Sequence, residues 1–409
     1  MGQANMRRRD WLLLLSLSNF KFTIVGFYMV GLITMLKQSG FSLNQLSWVY
    51  LLAAVELGKV FFSLFIERFR WGAHGHFRFW LLCSTSVIWL ALGLLWLIDP
   101  QQHYALLLLA CFTLSVMSVV FGCATLGLNC ALLSFQERGF GGVIQVLAAR
   151  LGKMIGGGLV LLVYQRWGWH AAIGLVMGLS MLIWLQLYRY RTPLAVQVAA
   201  KSGYGWRQLC GRIVSYWRQP NTGLPWLWLL LFSCMPYGLV ATTFIPQLSD
   251  LGWTAAKIGT VLAIYVPIAC VAVAPLAGVL MRRYTRHQLV LSILLGQTVI
   301  LSGFIFLGQL SSLHPNMIMV LVIALSMGYT LLLPIVMALF MDKASAEWAT
   351  LDSSLQFTVM IGGAYVAGFL SLRIANASSY QVVYVLSTVV GLLVCALTLW
   401  QGKKLLAPE

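Results

Sequence analysis

Charge is what this sequence has least of. Only 9% of its 409 residues are charged, with ten Asp and Glu against 27 Lys and Arg and a net charge of +17. Hydrophobic residues make up 60%. No water-soluble domain of this length buries so much apolar surface, so lipid must solvate most of the chain. The positive excess does not indicate nucleic acid. The basic residues sit in short segments between apolar runs and form no grooves interleaved with aromatic residues. The eight cysteines (Cys83, Cys111, Cys123, Cys130, Cys210, Cys234, Cys270 and Cys395) include no C-x-x-C pair. They read as small core residues rather than metal or redox ligands. There is no GxxxxGK[ST] phosphate loop, so pumping must draw on an ion gradient or a partner. No His, Asp, Glu and Cys set converges at catalytic spacing, which argues against an enzyme; the six histidines (His74, His76, His103, His170, His287, His314) all read as loop residues. No cofactor is implied.

Apolar windows predict twelve membrane-spanning helices, at 11–36, 43–66, 77–98, 104–133, 140–164, 170–188, 224–247, 256–281, 288–309, 316–341, 354–377 and 380–401. The opening MRRRDWLLLLSLS has the charge and apolar run of a signal peptide. No small-residue cleavage site follows it, so it reads as the first span. With the N-terminus in the cytoplasm, cytoplasmic segments hold 19 of the 27 Lys and Arg. The opposite face holds four (Lys37, Arg166, Lys257, Arg373) and the spans hold four. That asymmetry places both termini inside.

The stretch 189–223, with six basic residues, divides the spans into six and six. The predicted organisation is a six-helix bundle over 1–188, a basic cytoplasmic linker over 189–223 and a second six-helix bundle over 224–409. The halves repeat. QSGFSLNQLSWV (38–49) aligns with DLGWTAAKIGTV (250–261) at an offset of 212, which also matches Gly26 to Gly238. IQVLAARLGKMIGG (144–157) aligns with LQFTVMIGGAYVAG (355–368) at 211, matching Gln145 to Gln356, Gly152 to Gly363 and Gly157 to Gly368. Tandem repeats of this kind, with a site between the halves, are a transporter architecture.

Five ionisable residues fall at mid-membrane depth: Lys21, Glu56, Lys59, Arg150 and Lys153. Each costs about 2.5–3.5 kcal/mol at the centre of a span, so together they call for a function. Glu56 and Lys59 are three apart and can pair; Arg150 and Lys153 share a face of the fifth span. Four cations against one carboxylate point to an anionic ligand, with a structural network as the alternative. Glu56 is either the proton carrier or simply the counter-ion of Lys59. The first six spans contain no proline, whereas the second six carry Pro236, Pro246, Pro267, Pro275 and Pro334, so the second half is the one expected to bend. Ser233, Tyr237, Thr242, Gln247, Tyr265, Tyr329 and Thr330 are candidates for a neutral cavity wall. Thr125 and Asn129, four apart in the fourth span, are the candidates from the first half.

Two loops resemble the major facilitator superfamily signature G-x-x-x-D-R-x-G-R-R: SLFIERFR (63–70) and GVLMRRYTRH (278–287). The resemblance implies that Glu67, Arg68 and Arg283 work in a cytoplasmic gate. Within that superfamily, Glu137, Arg138, Gly139, Gly141, Gln145, Arg150, Gly152, Gly156, Gly157 and Gly158 match an ERG-x-G-x-x-x-Q-x-x-x-x-R-x-G-x-x-x-G-G-G pattern. This is similar to muropeptide permeases and the related siderophore importers. That group's fourth span carries D-x-x-x-D where this chain has Gly122 and Leu126. The resemblance implies an all-α, twelve-helix secondary transporter of a bacterial inner membrane, working as a monomer. Its expected substrate is a bulky organic anion imported with protons, a siderophore or its iron complex first and a peptidoglycan fragment second. Export of a similar anion is a third option. Lys21, Arg150, Lys153, Thr125, Asn129, Tyr237 and Tyr329 are the expected substrate contacts, and Glu56 with Lys59 the coupling pair.

Overall fold

The computed structural model describes residues 8–41, 45, 48–49, 52–71, 75–190, 204–219, 222–253, 261–306 and 317–405. Every regular element among them is helical. Among the described residues, ten helices are long and apolar enough to cross a membrane. We label the helices α1 (Arg8–Gln38), α2 (52–68), α3 (His76–Leu97), α4 (Tyr104–Leu132), α5 (135–167), α6 (169–189), α7 (Trp206–Tyr216), α8 (Leu224–Leu248), α9 (261–283), α10 (Arg286–Ile305), α11 (Met317–Lys343), α12 (Ala349–Ala377) and α13 (Tyr380–Leu405).

Two features explain how these helices relate to the twelve apolar windows. The run Phe135–Arg189 is 55 residues long, about 80 Å as one helix against a hydrocarbon core of about 30 Å. It is broken at Gly168 (φ 79°, ψ −170°), a conformation that glycine reaches without a Cβ penalty, and α5 and α6 are therefore distinct. The α2 stretch is a 3-10 segment (Leu52–Gly58) running into an α-helix (Lys59–Arg68). Its described length, 52–68, is shorter than the ten apolar spans. The remaining parts of windows 43–66, 256–281 and 288–309 that fall on 43–44, 46–47, 50–51, 256–260 and 307–309 lie outside the described residues, as do 191–203 of the linker, His74 and His314.

Both α5 and α12 begin five residues before their apolar windows, at Phe135 and Ala349. The extra turns are polar, and their charges are paired: Arg138 with Asp342 at 3.1 Å, Asp352 with Arg212 at 2.7 Å. Three histidines expected in loops are helical instead. His76 opens α3, His170 lies in α6 and His287 in the first turn of α10. Five of the eight cysteines are buried, while Cys210 is exposed on α7.

The chain forms two compact units. The first comprises 1–134, 147–212 and 344–355; the second comprises 135–146, 213–343 and 356–409. In the first, α3 packs along α4 and α6, and α4 also supports α1 and α2. In the second, α10 packs on α13 and α11, and α9 on α11, around Trp226, Phe340 and Phe304.

The sequence repeat is reproduced as packing. In the first unit a Cβ on Gly26 would lie 2.8 Å from Lys153 Cα, one on Gly152 2.4 Å from Asn19 O, and one on Gly157 3.1 Å from Val30 Cβ. In the second unit Gly238 meets Ala364, Gly363 meets Leu231 O at 2.1 Å, and Gly368 meets Thr242 Cγ2 at 2.8 Å. Each second pair is the first displaced by the same 211–212 residues. The α1–α5 and α8–α12 seams are therefore two copies of one small-residue packing. Of the glycines in 152–158, Gly158 alone has open space around its missing Cβ.

A direct expectation follows for Gly156, where a Cβ would stand 2.0 Å from Thr23 O and 2.6 Å from Phe27 N. Both neighbours are backbone and cannot step aside. Gly156→Ala should cost at least the 1–3 kcal/mol typical of overpacking, roughly, and lower the melting temperature in detergent. Gly158→Ala should leave it unchanged. Equal melting temperatures for the two variants would contradict the seam.

Candidate substrate and coupling site

In the first unit the mid-membrane charges come together. Lys21 of α1 places Nζ 2.9 Å from Glu56 Oε1, and Lys59 places Nζ 3.1 Å from Glu56 Oε2. One carboxylate thus bridges two ammonium groups from two helices. Both lysines are buried, at 6% and 2% exposure. The Lys59 contact is the i, i+3 pairing expected from spacing; the Lys21 contact is long-range and joins α1 to α2.

The backbone makes room for this triad. A Cβ on Gly122 of α4 would lie 3.1 Å from Lys21 Cε and 3.5 Å from its Cγ, so the lysine stem runs over the glycine. The Lys21 ammonium also lies 4.3 Å from the Phe22 ring centroid, a cation–π distance. Close by, α1 and α5 carry π-helical segments at Phe27–Gly31 and Met154–Leu159, which pack on each other. Such bulges recur at functional sites because they re-aim side chains within a helix.

Arg150 and Lys153 lie on α5 directly before its π segment. Arg150 is half-buried and Lys153 exposed, and Lys153 is within Coulombic reach of Glu56 and Lys21. Thr125 and Asn129 are one turn apart on α4 and buried. Thr125 Oγ1 is spent on Phe121 O (2.8 Å). Both polar atoms of the Asn129 amide are buried without a hydrogen-bond partner among the described residues, a costly state that a polar ligand would relieve.

At the positions of the second unit displaced by 211–212 residues, the five charges are replaced by Ser233, Ile268, Val271, Ile361 and Ala364. The same α1–α5 type of seam therefore forms there with no ionisable group in it. In the second unit Tyr237 and Tyr329 stack at 4.0 Å and 6°. Several of the expected wall residues are engaged within the unit: Thr242 Oγ1 with Ser371 Oγ at 2.5 Å, Thr330 Oγ1 with Ser326 O, and Gln247 with the Tyr384 hydroxyl. Tyr265 is exposed.

The loop signatures engage specific partners within each unit. In the first unit Glu67 takes Arg70 as its partner (2.5 Å), while Arg68 lies over the Phe69 ring at 5.6 Å. Glu67 also accepts from Thr350 N at 3.1 Å, and Arg70 donates to Glu347 O at 2.5 Å. Tyr204 stacks on Trp348 at 3.7 Å and donates to Glu347. Burial, then that hydrogen bond, pushes the Tyr204 hydroxyl up to about 12, so it remains a donor at physiological pH. Arg212 forks onto Asp352 at 3.0 and 2.7 Å. In the second unit Arg283 is exposed, and Arg286 instead pairs with Asp342, which Arg138 also contacts. Sequence reasoning gave no pairing role to Arg70, Arg212, Arg286, Asp342, Glu347 and Asp352, and named Arg138 only as part of the motif. Apart from the Glu67–Arg70 and Ser345–Asp352 contacts, their partners lie more than 50 residues away, beyond any local pattern.

The family model of the Major Facilitator Superfamily matches residues 12–364. The chain belongs to that superfamily. Among individual relatives, it is 24% identical to the anhydromuropeptide permease of Escherichia coli (strain K12) over 268 residues, 62% of this chain and 52% of the permease. The matched region thus spans about half the length of that relative. Among solved structures, the E. coli fucose:proton symporter superposes with a TM-score of 0.73 at 12% identity, covering 96% of this chain and 98% of the symporter. A proton:xylose symporter of the superfamily gives 0.70 at 12% identity over 97% and 96%. These likenesses establish the superfamily fold.

Proposed function

We propose that the protein is a proton-coupled importer of a bulky organic anion in a bacterial inner membrane. Counting α5 and α6 separately and including the charged α2 gives twelve spans, with both termini on the positively charged cytoplasmic side. The observation that carries the reading is the duplicated seam. The second unit forms it without charge, so folding does not require Lys21, Glu56, Lys59, Arg150 and Lys153. Four cations and one carboxylate retained at membrane depth, at roughly 2.5–3.5 kcal/mol each, are then explained by an anion and a proton.

A peptidoglycan fragment ranks ahead of the siderophore expected from sequence, because the E. coli relative is named as an anhydromuropeptide permease. Such fragments carry carboxylates that a guanidinium and ammonium groups bind. The ferric siderophore is the competing substrate.

The inside-negative potential opposes anion entry by about 2.3 kcal/mol per charge per 100 mV. A dianion at roughly 150 mV therefore meets about 7 kcal/mol of opposition, and two co-transported protons make the step electroneutral. In proteoliposomes with the pH gradient and the potential imposed separately, an inward proton gradient should drive concentrative uptake of a labelled anhydromuropeptide. A protonophore should collapse it, and inside-negative potential should not inhibit it. Insensitivity to the proton gradient together with inhibition by the potential would replace import with export. Uptake of a ferric siderophore in place of the muropeptide would reverse the substrate order.

A further inference from the structure

We infer that the first unit carries a second, separate anion site: a cleft between the first turns of α1 and the end of α6 that holds the phosphate of an anionic phospholipid. A cavity of about 430 Å³ lies there, within the roughly 300–1,000 Å³ range of ligand pockets. Its lining combines Arg9, Arg189 and Gln186 with Leu13, Leu182 and Leu185.

The polar side chains of the lining are held in place. The Arg9 guanidinium lies 4.9 Å over the Tyr190 ring, and the Tyr190 hydroxyl donates to Asp10 Oδ1 at 3.1 Å. Ser16 Oγ donates to Gln186 Oε1 at 2.8 Å, which occupies the amide oxygen and leaves its NH2 group as a donor. Arg78 donates to the carbonyls of Leu187 (2.9 Å) and Tyr188 (2.6 Å), fixing the end of α6. Neither Arg9 nor Arg189 has a carboxylate within ion-pair distance among the described residues. Two guanidiniums converging on one cavity supply planar forks suited to a phosphate.

The apolar lining selects a lipid over a soluble phosphate. Leu182 in the lining is 63% exposed, apolar surface that an acyl chain would cover. The cleft also lies at the cationic end of both helices, the face where anionic lipids gather and basic pockets between spans bind their headgroups. The site is independent of the transported substrate and of the Lys21–Glu56–Lys59 group.

The test is lipid retention by the full-length protein, read by native mass spectrometry from detergent containing equal phosphatidylglycerol and phosphatidylcholine. Wild type should retain phosphatidylglycerol preferentially, and high salt should reduce that retention without affecting phosphatidylcholine. Arg9→Gln with Arg189→Gln should weaken phosphatidylglycerol binding about 30-fold, about 5-fold per arginine, the ratio that corresponds to about 1 kcal/mol for each basic residue near an anionic surface. Equal retention of the two lipids by wild type, or unchanged preference in the double variant, would overturn the site. Displacement by glycerol 3-phosphate would assign it to a soluble phosphate and overturn the lipid. Because the wild-type preference and its salt dependence need no variant, the outcome is decided even if the double variant fails to fold.

Discussion

Glu56→Gln should convert concentrative uptake into mere equilibration across the membrane, while substrate exchange between two equal pools persists. The reason is geometric. Among the described residues, Glu56 is the only carboxylate between Lys21 and Lys59, at 2.9 and 3.1 Å, so it is the group that can accept a proton there and change how the two ammonium groups are held. The amide keeps the shape and loses the titration. The competing account is that Glu56 only neutralises the lysines, since breaking a buried pair strands charges at a cost of about 3–5 kcal/mol. Because Glu56 serves two lysines, removing Lys59 alone leaves Lys21 stranded. The discriminating variant is therefore triple: Glu56→Gln with Lys21→Met and Lys59→Met. Restored accumulation in the triple variant would show that the carboxylate is a counter-ion and carries no proton.

Lys153→Ala and Arg150→Ala should each raise the KM for substrate by about 10- to 150-fold, the value of a charge-assisted contact at roughly 1.5–3 kcal/mol. Insertion and abundance should stay near wild type. The duplicated seam makes this more than a guess for Lys153, since its counterpart Ala364 packs against Gly238 as Lys153 packs against Gly26. Alanine at 153 therefore reproduces a packing the protein already uses. Arg150→Lys should recover only part of the affinity, because an ammonium cannot reproduce the planar fork on a carboxylate. Wild-type uptake by both alanine variants at matched protein level would remove the anion site from α5 and leave the seam as packing alone.

Most of the architecture was legible along the chain because a membrane helix satisfies its own backbone and needs only length and apolarity to declare itself. The windows at 77–98, 104–133 and 380–401 lie within a few residues of α3, α4 and α13. The early starts of α5 and α12 were not legible. Their first turns are polar, and they are held by Asp342 and Arg212, more than 130 residues from their partners. The loop signatures drew attention to Arg68 and Arg283 by register, whereas the fold engages Arg70 and Arg286. Register along a short loop does not fix which arginine turns inward.

What the sequence determined by itself was a membrane-embedded, internally repeated helical protein with five charges too costly to be idle. Hydropathy, glycine spacing and the distribution of basic residues carry that information locally, at offsets that can be counted. What only tertiary structure decided was how those charges are shared. Lys21, 35 residues before Glu56, reaches it across helices because Gly122 leaves its stem room, and the glycines of α5 sit on Asn19 and Thr23 of α1. Which ammonium a carboxylate meets depends on helix rotation and on the absence of one Cβ on a third helix. Those are properties of packing, set by contacts between segments that a linear pattern does not relate.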